Sequence, residues 1–182
     1  MATYLALLRG INVGGHNRLP MATLREICGS LGVTAIATYV QSGNVVFDGE
    51  AGLARSLPAR IRSLIEDETG IRAPVLVRTL PAWRRIAAGN PFVSRRGTDI
   101  TKLAVTFLER KPTVAAAKKL DPDRGASDEF VLSGTEVFLS CPGGYGETKL
   151  SNDYFERCLG VTCTTRNWKT VNALLELAAS PR

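Results

Sequence analysis

Residues 35–47 read Ala-Ile-Ala-Thr-Tyr-Val-Gln-Ser-Gly-Asn-Val-Val-Phe, a stretch with two β-rich runs. The runs cover Ala35 to Val40 and Asn44 to Phe47, and the small polar residues Gln41-Ser42-Gly43-Asn44 join them. Small polar residues between two β-branched and aromatic runs are typical of a tight hairpin. The stretch therefore predicts two antiparallel strands.

An amphipathic helix is predicted on each side of this hairpin. Pro20 suits a first helical position, and apolar residues then recur at helical spacing until Gly32. After the hairpin a second apolar stripe ends at Gly70. Short apolar runs outside the helices, at Tyr4 to Arg9 and Pro74 to Thr79, predict two further strands, so the order is βαββαβ. The two stripes are Leu24, Ile27, Cys28 and Leu31, then Leu53, Leu57, Ile61, Leu64 and Ile65.

The same order recurs in the carboxyl-terminal half, after a short helix at 80–90 and a connector at 90–100. Strands are predicted at 103–108, 130–132, 136–140 and 161–165, with helices at 113–120, after Ser151 and from Asn167. We therefore predict an α+β fold of two successive βαββαβ (ferredoxin-like) units with extra helices, in a duplicated architecture. The expected domains are 1–91 and 92–182.

Apolar residues occupy both faces of the strands at 4–9 and 75–77. Strands that are apolar on both faces are buried on both faces. We expect two half-units packed together or a dimer that covers the open sheet face, so the chain is a monomer or a homodimer.

Composition excludes several classes of protein. Of 182 residues, 45% are apolar and 22% are charged, which is typical of a folded domain rather than a disordered chain. No run approaches the roughly 18 to 20 apolar residues that span a bilayer, so we expect no membrane association. The amino end has no basic region before its apolar run and therefore no signal-peptide pattern. We expect a cytoplasmic protein.

The cysteine pattern gives no support for a metal or a cofactor. The four cysteines form no C-x-x-C pair, and the only histidine, His16, is far from all of them in sequence. We therefore expect buried free thiols, no metal and no cofactor. The net charge of +6 could attract phosphate, nucleic acid or an acidic partner. An arginine-rich composition with no partner explains the same charge equally well.

The segment Arg9 to Arg18 is the most unusual part of the chain. Three glycines allow close approach of the backbone, and the polar side chains supply donors, so an anion cradle is reasonable. The segment matches neither the Walker pattern nor the dinucleotide-binding pattern. Because strands one and three of a ferredoxin-like sheet are antiparallel neighbours, this segment and the hairpin at Gln41 should meet at one edge. The predicted ligand-binding residues are Arg9, Gly10, Asn12, Gly14, Gly15, His16, Asn17, Arg18, Gln41, Ser42 and Asn44.

This set suits a phosphate, a carboxylate or a polar base better than a metal. The alternative is a long turn that needs glycine for its backbone alone, and a hairpin by itself requires residues such as Gln-Ser-Gly-Asn. An empty loop whose polar groups bond to one another would argue against a ligand.

A second candidate anion site is predicted at the start of the last helix, from Thr165, Arg166, Asn167 and Trp168. The alternative is that Asn167 caps the helix and Trp168 anchors it. Trp83 is predicted to be core, and the glycine-rich stretch 143–149 to be a mobile flap or a plain loop.

No residue stands out as catalytic, since Ser42 lacks the G-x-S-x-G context and no orienting group for a Ser42–His16 pair can be named. Three hypotheses remain. The first is binding of a small anionic or nucleotide-like ligand at the 9–18/41–44 edge. The second is a hydrolase or transferase acting on a phosphorylated substrate there, by analogy with acylphosphatases. The third is a nucleic-acid or protein interaction module. RNA recognition by an exposed sheet is disfavoured, because the first strand offers only Tyr4.

Five blocks of the sequence carry a resemblance to a known family: Leu8 to Gly15 with Asn17 and Pro20-Met21, Thr38 to Phe47, Val77-Arg78-Thr79 with Trp83, Asn90-Pro91-Phe92, and Thr164 to Trp168. These blocks resemble the bacterial family catalogued as domain of unknown function 1697. The resemblance implies a pair of α+β units and carries no assigned activity, substrate or catalytic residue. Many relatives have Lys where this chain has His16, which favours a positive charge or a plain polar loop over a general base.

Overall fold

A computed structural model describes residues 1–180, which contain eight strands and six α-helices in the predicted order. The strands are β1 (Ala2–Leu8), β2 (Thr34–Tyr39), β3 (Asn44–Gly49), β4 (Val75–Thr79), β5 (Leu103–Leu108), β6 (Glu129–Ser133), β7 (Glu136–Ser140) and β8 (Cys163–Asn167). The helices are α1 (Met21–Gly29), α2 (Leu57–Thr69), α3 (Leu80–Ala88), α4 (Val114–Ala117), α5 (Asn152–Leu159) and α6 (Trp168–Ala179).

The strands form two antiparallel sheets with the same connectivity. Their orders are β2-β3-β1-β4 and β6-β7-β5-β8, so the first strand of each βαββαβ unit lies between the third and the fourth. This is the ferredoxin-like order, and the prediction of a duplicated α+β architecture is confirmed. In the first sheet Leu7 of β1 lies opposite Asn44 of β3. The carboxyl end of β1 is therefore beside the start of β3.

Two compact units divide the chain. One contains Met1–Arg85 with the segment that begins at Ala173, and the other contains Ile86–Asn172. In the first unit, alternate residues of β1 pack with apolar residues of α1 and α2, among them Leu24 and Ile61. The residues between them, such as Leu5 and Leu7, are also fully buried. Because neighbouring strand residues point to opposite faces, both faces of this strand are buried, as the sequence predicted.

The second unit has its own core beneath β5 and β7. Ala104 and Leu139 from the sheet pack with Tyr154 and Phe155 of α5. Ser151 caps α5 as predicted, because its Oγ accepts a hydrogen bond from the N–H of Tyr154 at 3.3 Å. The side chain of Trp83, which belongs to the first unit and was predicted to be core, is fully buried.

Several predicted boundaries are wrong. Pro20, expected at the first helical position, precedes α1 as its N-cap residue. The helix expected at 113–120 is only the single turn α4, because Val114 is 75% exposed and no residue of that turn is buried, so no apolar face holds a longer helix. The second predicted helix starts at Leu57, since Leu53–Arg55 form a separate 3₁₀ turn after Gly52 (φ 95°). The last strand runs to Asn167, where it pairs with Ala104. No helix within residues 1–180 has both the length and the apolar character needed to cross a membrane.

Candidate functional site

The two loop segments singled out by the sequence lie side by side at one corner of the first sheet. The N–H of Leu8, at the end of β1, donates to the carbonyl of Gly43 at 2.8 Å. Farther along, Asn12 Nδ2 donates to the carbonyl of Gln41 at 2.7 Å. Segment 9–18 and segment 41–44 therefore form one continuous surface.

Segment 10–18 is folded into a small hairpin, which we call the corner hairpin. The N–H of Asn12 donates to the carbonyl of Asn17 at 3.1 Å, and the N–H of His16 donates to the carbonyl of Val13 at 3.0 Å. Gly14 and Gly15 form its tip with φ of 58° and 80°. Positive φ at both central positions is what a type I′ hairpin turn requires, and glycine adopts it without steric cost. The glycines thus build a tight, exposed turn.

Asn12 fastens the corner hairpin to its surroundings. Besides the bond to Gln41, its Nδ2 donates to the carbonyl of Leu19 at 2.9 Å, and its Oδ1 accepts from the N–H of Leu19 at 2.8 Å. Its φ of 53° is in the left-handed region, which Asn tolerates better than most residues. One side chain therefore fixes both the base of the hairpin and its distance from the neighbouring loop.

Two other predicted ligand-binding residues also bond within the corner. Asn17 Nδ2 donates to the carbonyl of Gly10 at 2.9 Å. Asn44 is fully buried and its Nδ2 donates to the carbonyl of Tyr39 at 3.1 Å. The side-chain amides of Asn12, Asn17 and Asn44 thus shape the loops, and this internal bonding argues against all three as ligand groups. Sequence alone does not distinguish an asparagine that binds a ligand from one that folds a turn.

Other groups of the predicted set have no intramolecular partner within the described chain. These are the backbone N–H groups of Gly14 and Gly15 and the side chains of His16, Arg18 and Gln41, all of which are exposed. Arg9 is half-buried, and its N–H donates to the carbonyl of Pro74 at 2.9 Å. Arg9 and Ser42 each have further interactions within the protein. The open donors of the corner are therefore two amides, an imidazole, a guanidinium and a carboxamide.

The surrounding sequence is depleted in negative charge. The first 47 residues contain three arginines, at 9, 18 and 25, but only one carboxylate, that of Glu26. Arg25 Nη1 donates to Thr38 Oγ1 at 2.9 Å, so the guanidinium of Arg25 is held against β2, the first strand of the 35–47 hairpin. A surface with several cations and few carboxylates attracts anions over a range of about 10 Å at ordinary salt.

The second unit shows that the corner hairpin is not needed to close the fold. There the N–H of Leu108 donates to the carbonyl of Thr135 at 2.8 Å, the counterpart of the bond from Leu8 to Gly43. Between β5 and α4 the chain uses only residues 109–113, whereas between β1 and α1 it uses residues 9–20. The same connection is thus made with less than half the length.

The predicted second anion site is occupied by internal bonds. Arg166 is buried, and its Nη1 donates to Thr164 Oγ1 and to the carbonyl of Thr165, each at 2.9 Å. Burial lowers the pKa of Arg166 to about 10. Asn167 Oδ1 accepts from the N–H of Thr170 at 2.8 Å, and Trp168 is buried. These contacts match the alternative of a cap and an anchor, and we propose no ligand there.

The thiols offer little nucleophilic chemistry. Burial raises the pKa of Cys28 to about 12 and that of Cys141 to about 11. Cys163 is buried, and its Sγ lies 3.5 Å from the carbonyl oxygen of Asn152. Cys158 is partly exposed. No group of three or more His, Cys, Asp or Glu side chains that could hold a metal ion occurs in the described part of the chain.

We expect iodoacetamide to alkylate Cys158 well before the other three cysteines of the folded protein. A pKa near 12 in place of 9.0 reduces the thiolate fraction of Cys28 about a thousandfold at neutral pH. Peptide mass spectrometry over a time course measures the order of modification, and denatured protein, in which all four should react together, is the control. Alkylation of Cys28 as fast as that of Cys158 would contradict the burial of its thiol.

Comparison with known proteins gives a family and a fold. A family model described as "Protein of unknown function (DUF1697)" matches residues 1–138. The solved structure of the conserved bacterial protein SP0830 from Streptococcus pneumoniae is similar, with a TM-score of 0.72 and 22% sequence identity. The similarity covers 97% of this chain and 98% of that one. No match was found among curated proteins.

Proposed function

This chain belongs to the DUF1697 family, for which no specific function is indicated, and from the geometry of its corner we propose that it binds a small anionic or nucleotide-like ligand. The ligand lies at the surface formed by the corner hairpin and residues 41–44. The observation that carries the proposal is the bond from Asn12 Nδ2 to the carbonyl of Gln41 at 2.7 Å. It joins the two loops and leaves the donors at the hairpin tip open.

The open groups are nearly all hydrogen-bond donors. The N–H groups of Gly14 and Gly15 and the guanidinium of Arg18 only donate, and the exposed carboxamide of Gln41 can both donate and accept. Consecutive backbone N–H groups beside a positive-φ turn are a common way to hold the oxygens of a phosphate or carboxylate. Arg18 adds a charge-assisted bond, which is about twice as strong as a neutral one.

The internal bonds of the asparagines favour binding by a preformed surface. Asn12 and Asn17 hold the hairpin with four side-chain hydrogen bonds of 2.7 to 2.9 Å. A loop fixed in this way loses little conformational entropy when a ligand binds, and such preorganisation improves affinity. The asparagines thus contribute to ligand binding indirectly, because they fix the conformation of the hairpin tip.

A protein partner is a second candidate for the same surface. Val13 at the hairpin and Val40 in the adjoining loop are 66% and 51% exposed. Val40 also has a φ of 50°, a backbone conformation that is costly for a β-branched residue. Two exposed apolar side chains beside a cationic group suit an interface in which the valines lie in the apolar core and the cation at the polar rim. Hydrolase or transferase chemistry is not proposed, because the open groups of the corner are donors suited to binding an anion and no observation there favours catalysis.

The test is a thermal-shift screen of nucleotides, phosphorylated metabolites and carboxylates. A ligand present at 100 times its dissociation constant stabilises the folded protein by about 2.7 kcal/mol. We expect at least one compound to raise the melting temperature of the wild-type protein. Arg18→Gln should lose most of that rise.

Arg62→Gln provides the matched control. Arg62 is exposed on α2 and its replacement removes the same charge outside the corner, so its response should equal that of the wild type. Failure of every compound, or an equal rise in Arg18→Gln, would refute the proposed small-ligand function. A partner that binds the wild type but not a Val13→Ser variant, with no small ligand found, would establish the second candidate instead.

A further inference from the structure

A cleft in the second unit lies outside the corner site and is lined by cationic side chains. Its volume is about 400 Å³, and all of its lining residues fall between Arg95 and Pro142. Four of them belong to the turn Arg95-Arg96-Gly97-Thr98 that follows the Asn90-Pro91-Phe92 block, and Lys102 ends the 3₁₀ turn immediately before β5. A cleft of this size accommodates a small metabolite.

The two carboxylates of the cleft already have partners. Glu129 Oε2 accepts from Arg95 Nη1 at 2.8 Å. Asp99 Oδ1 accepts from the N–H of Thr101 at 2.9 Å and from Thr101 Oγ1 at 2.6 Å, and these bonds lower the pKa of Asp99. Each carboxylate is therefore already held by a specific donor.

Arg95 lines the cleft and is held in place by two contacts. Besides its bond to Glu129, its guanidinium lies over the ring of Phe92, 4.5 Å from the ring centre. Phe92 is itself fully buried. A guanidinium held by a carboxylate on one side and a ring beneath it keeps a defined orientation. Its charge is offset by Glu129, so Arg95 alone does not make the cleft an anion site.

Arg96 and Lys102 are cations of a different kind. Within residues 1–180, neither side chain makes a hydrogen bond or an ion pair. The positive charge of Lys102 does contribute to lowering the pKa of Asp99. Lys102 is only half-exposed, and a methyl group added at Gly144 would lie 3.8 Å from its Nζ, so the ammonium lies against the 143–146 turn. A half-buried ammonium with no hydrogen-bond acceptor has lost part of its hydration without compensation.

The backbone adds donors beside these cations. The N–H of Thr98 donates to the carbonyl of Arg95 at 3.2 Å, which closes a turn around Arg96 and Gly97. The N–H groups of Arg96 and Gly97 have no acceptor in the described chain, and Gly97 (φ 81°) borders open space. Two cations and two open amides thus surround one cleft whose carboxylates are already engaged.

We infer that this cleft binds the phosphate group of a small phosphorylated molecule, held by Arg96, Lys102 and the amides of the 95–98 turn. A phosphate monoester carries close to two negative charges and accepts several hydrogen bonds, which matches two cations plus backbone donors. A carboxylate carries one charge and would engage fewer of these cations and donors. No aromatic ring lines the cleft, so the rest of the ligand is not held by base stacking.

The test is a titration of the ¹⁵N-labelled full-length protein with inorganic phosphate and with glycerol 3-phosphate, at constant ionic strength. We expect saturable amide shifts at Gly97, Thr98 and Lys102, with a dissociation constant of about 1 mM. Arg96→Gln and Lys102→Gln should each weaken binding about tenfold, because each removes a charge-assisted bond. Stronger binding of the ester would point to a phosphorylated metabolite, and equal binding to free phosphate.

Two controls make the result specific. Lys111→Gln removes a charge at an exposed position of the same unit outside the cleft, and Arg62→Gln removes one at an exposed position of α2 in the other unit. Both should bind phosphate like the wild type, and unchanged spectra away from the substitution show that each variant is folded. Shifts that do not saturate, or that persist in the Arg96→Gln, Lys102→Gln double variant, would overturn the inference. The corner proposal is unaffected by either outcome, since its screen depends on Arg18.

Discussion

Gly43→Ala is expected to destabilise the protein by about 2 to 5 kcal/mol and to separate the two loops of the corner. Gly43 has a φ of 69°, which costs an alanine about 1 to 2 kcal/mol. In addition, a Cβ at this position would lie 2.7 Å from Leu8 Cβ and from Ile11 Cδ1. Leu8 Cβ is fixed by its strand, so the clash cannot be relieved by a side-chain rotation and adds about 1 to 3 kcal/mol.

The second unit supplies the control for this prediction. Gly134, in the corresponding hairpin between β6 and β7, has a φ of 64°, but a Cβ there would meet no atom within 4 Å. Gly134→Ala should therefore cost only the backbone part, about 1 to 2 kcal/mol. Chemical denaturation followed by two probes measures both losses. Equal losses in the two variants would mean that segment 9–18 does not pack against residue 43.

The sequence was sufficient for the topology because local signals agree with the global fold. The hairpin at 41–44, the helix stripes ending at Gly32 and Gly70 and the short apolar strands all indicate one βαββαβ order. Agreement of this kind between local preference and tertiary structure is what makes a sequence foldable. Predicted helix boundaries were wrong where apolar residues have nothing to pack against in the fold, as at Val114, which is exposed.

The candidate site was only partly predictable, for a different reason. Strand pairing places Asn12 near Gln41, so the meeting of the two loops follows from topology. Which polar groups remain open depends on backbone angles and distances that no spacing pattern encodes. Asn12 and Asn17 have positive φ and bond to nearby carbonyls. In the sequence, an asparagine with this structural role looks the same as one that binds a ligand. The cleft at Arg96 was missed because six of its nine lining residues lie at 95–102, most of which the sequence indicated only as a connector, and the other three join them only in the folded chain.

Asn12→Ala is the second variant for which we expect a large effect, a loss of about 3 to 4 kcal/mol in the free energy of unfolding. The substitution removes three hydrogen bonds worth about 1 kcal/mol each. It also leaves the N–H of buried Leu19 without its acceptor and places an alanine at a φ of 53°. Because one of the lost bonds joins the hairpin to Gln41, the amide signals of Gly14 and Gly15 should broaden or move as well.

Two further substitutions at residue 12 separate these contributions. Asn12→Gly removes the same bonds but tolerates positive φ, so it should be less destabilising than alanine by about 1 kcal/mol. Asn12→Asp keeps an acceptor for the N–H of Leu19 but turns carboxylate oxygens toward the carbonyls of Leu19 and Gln41, which Nδ2 now binds. Aspartate should therefore lose stability as the pH rises through the pKa of its carboxyl group. Asn17→Ala, which removes one bond, is the control. An Asn12→Asp variant as stable as the wild type at neutral pH would show that the donor bonds of Asn12 do not hold the corner together.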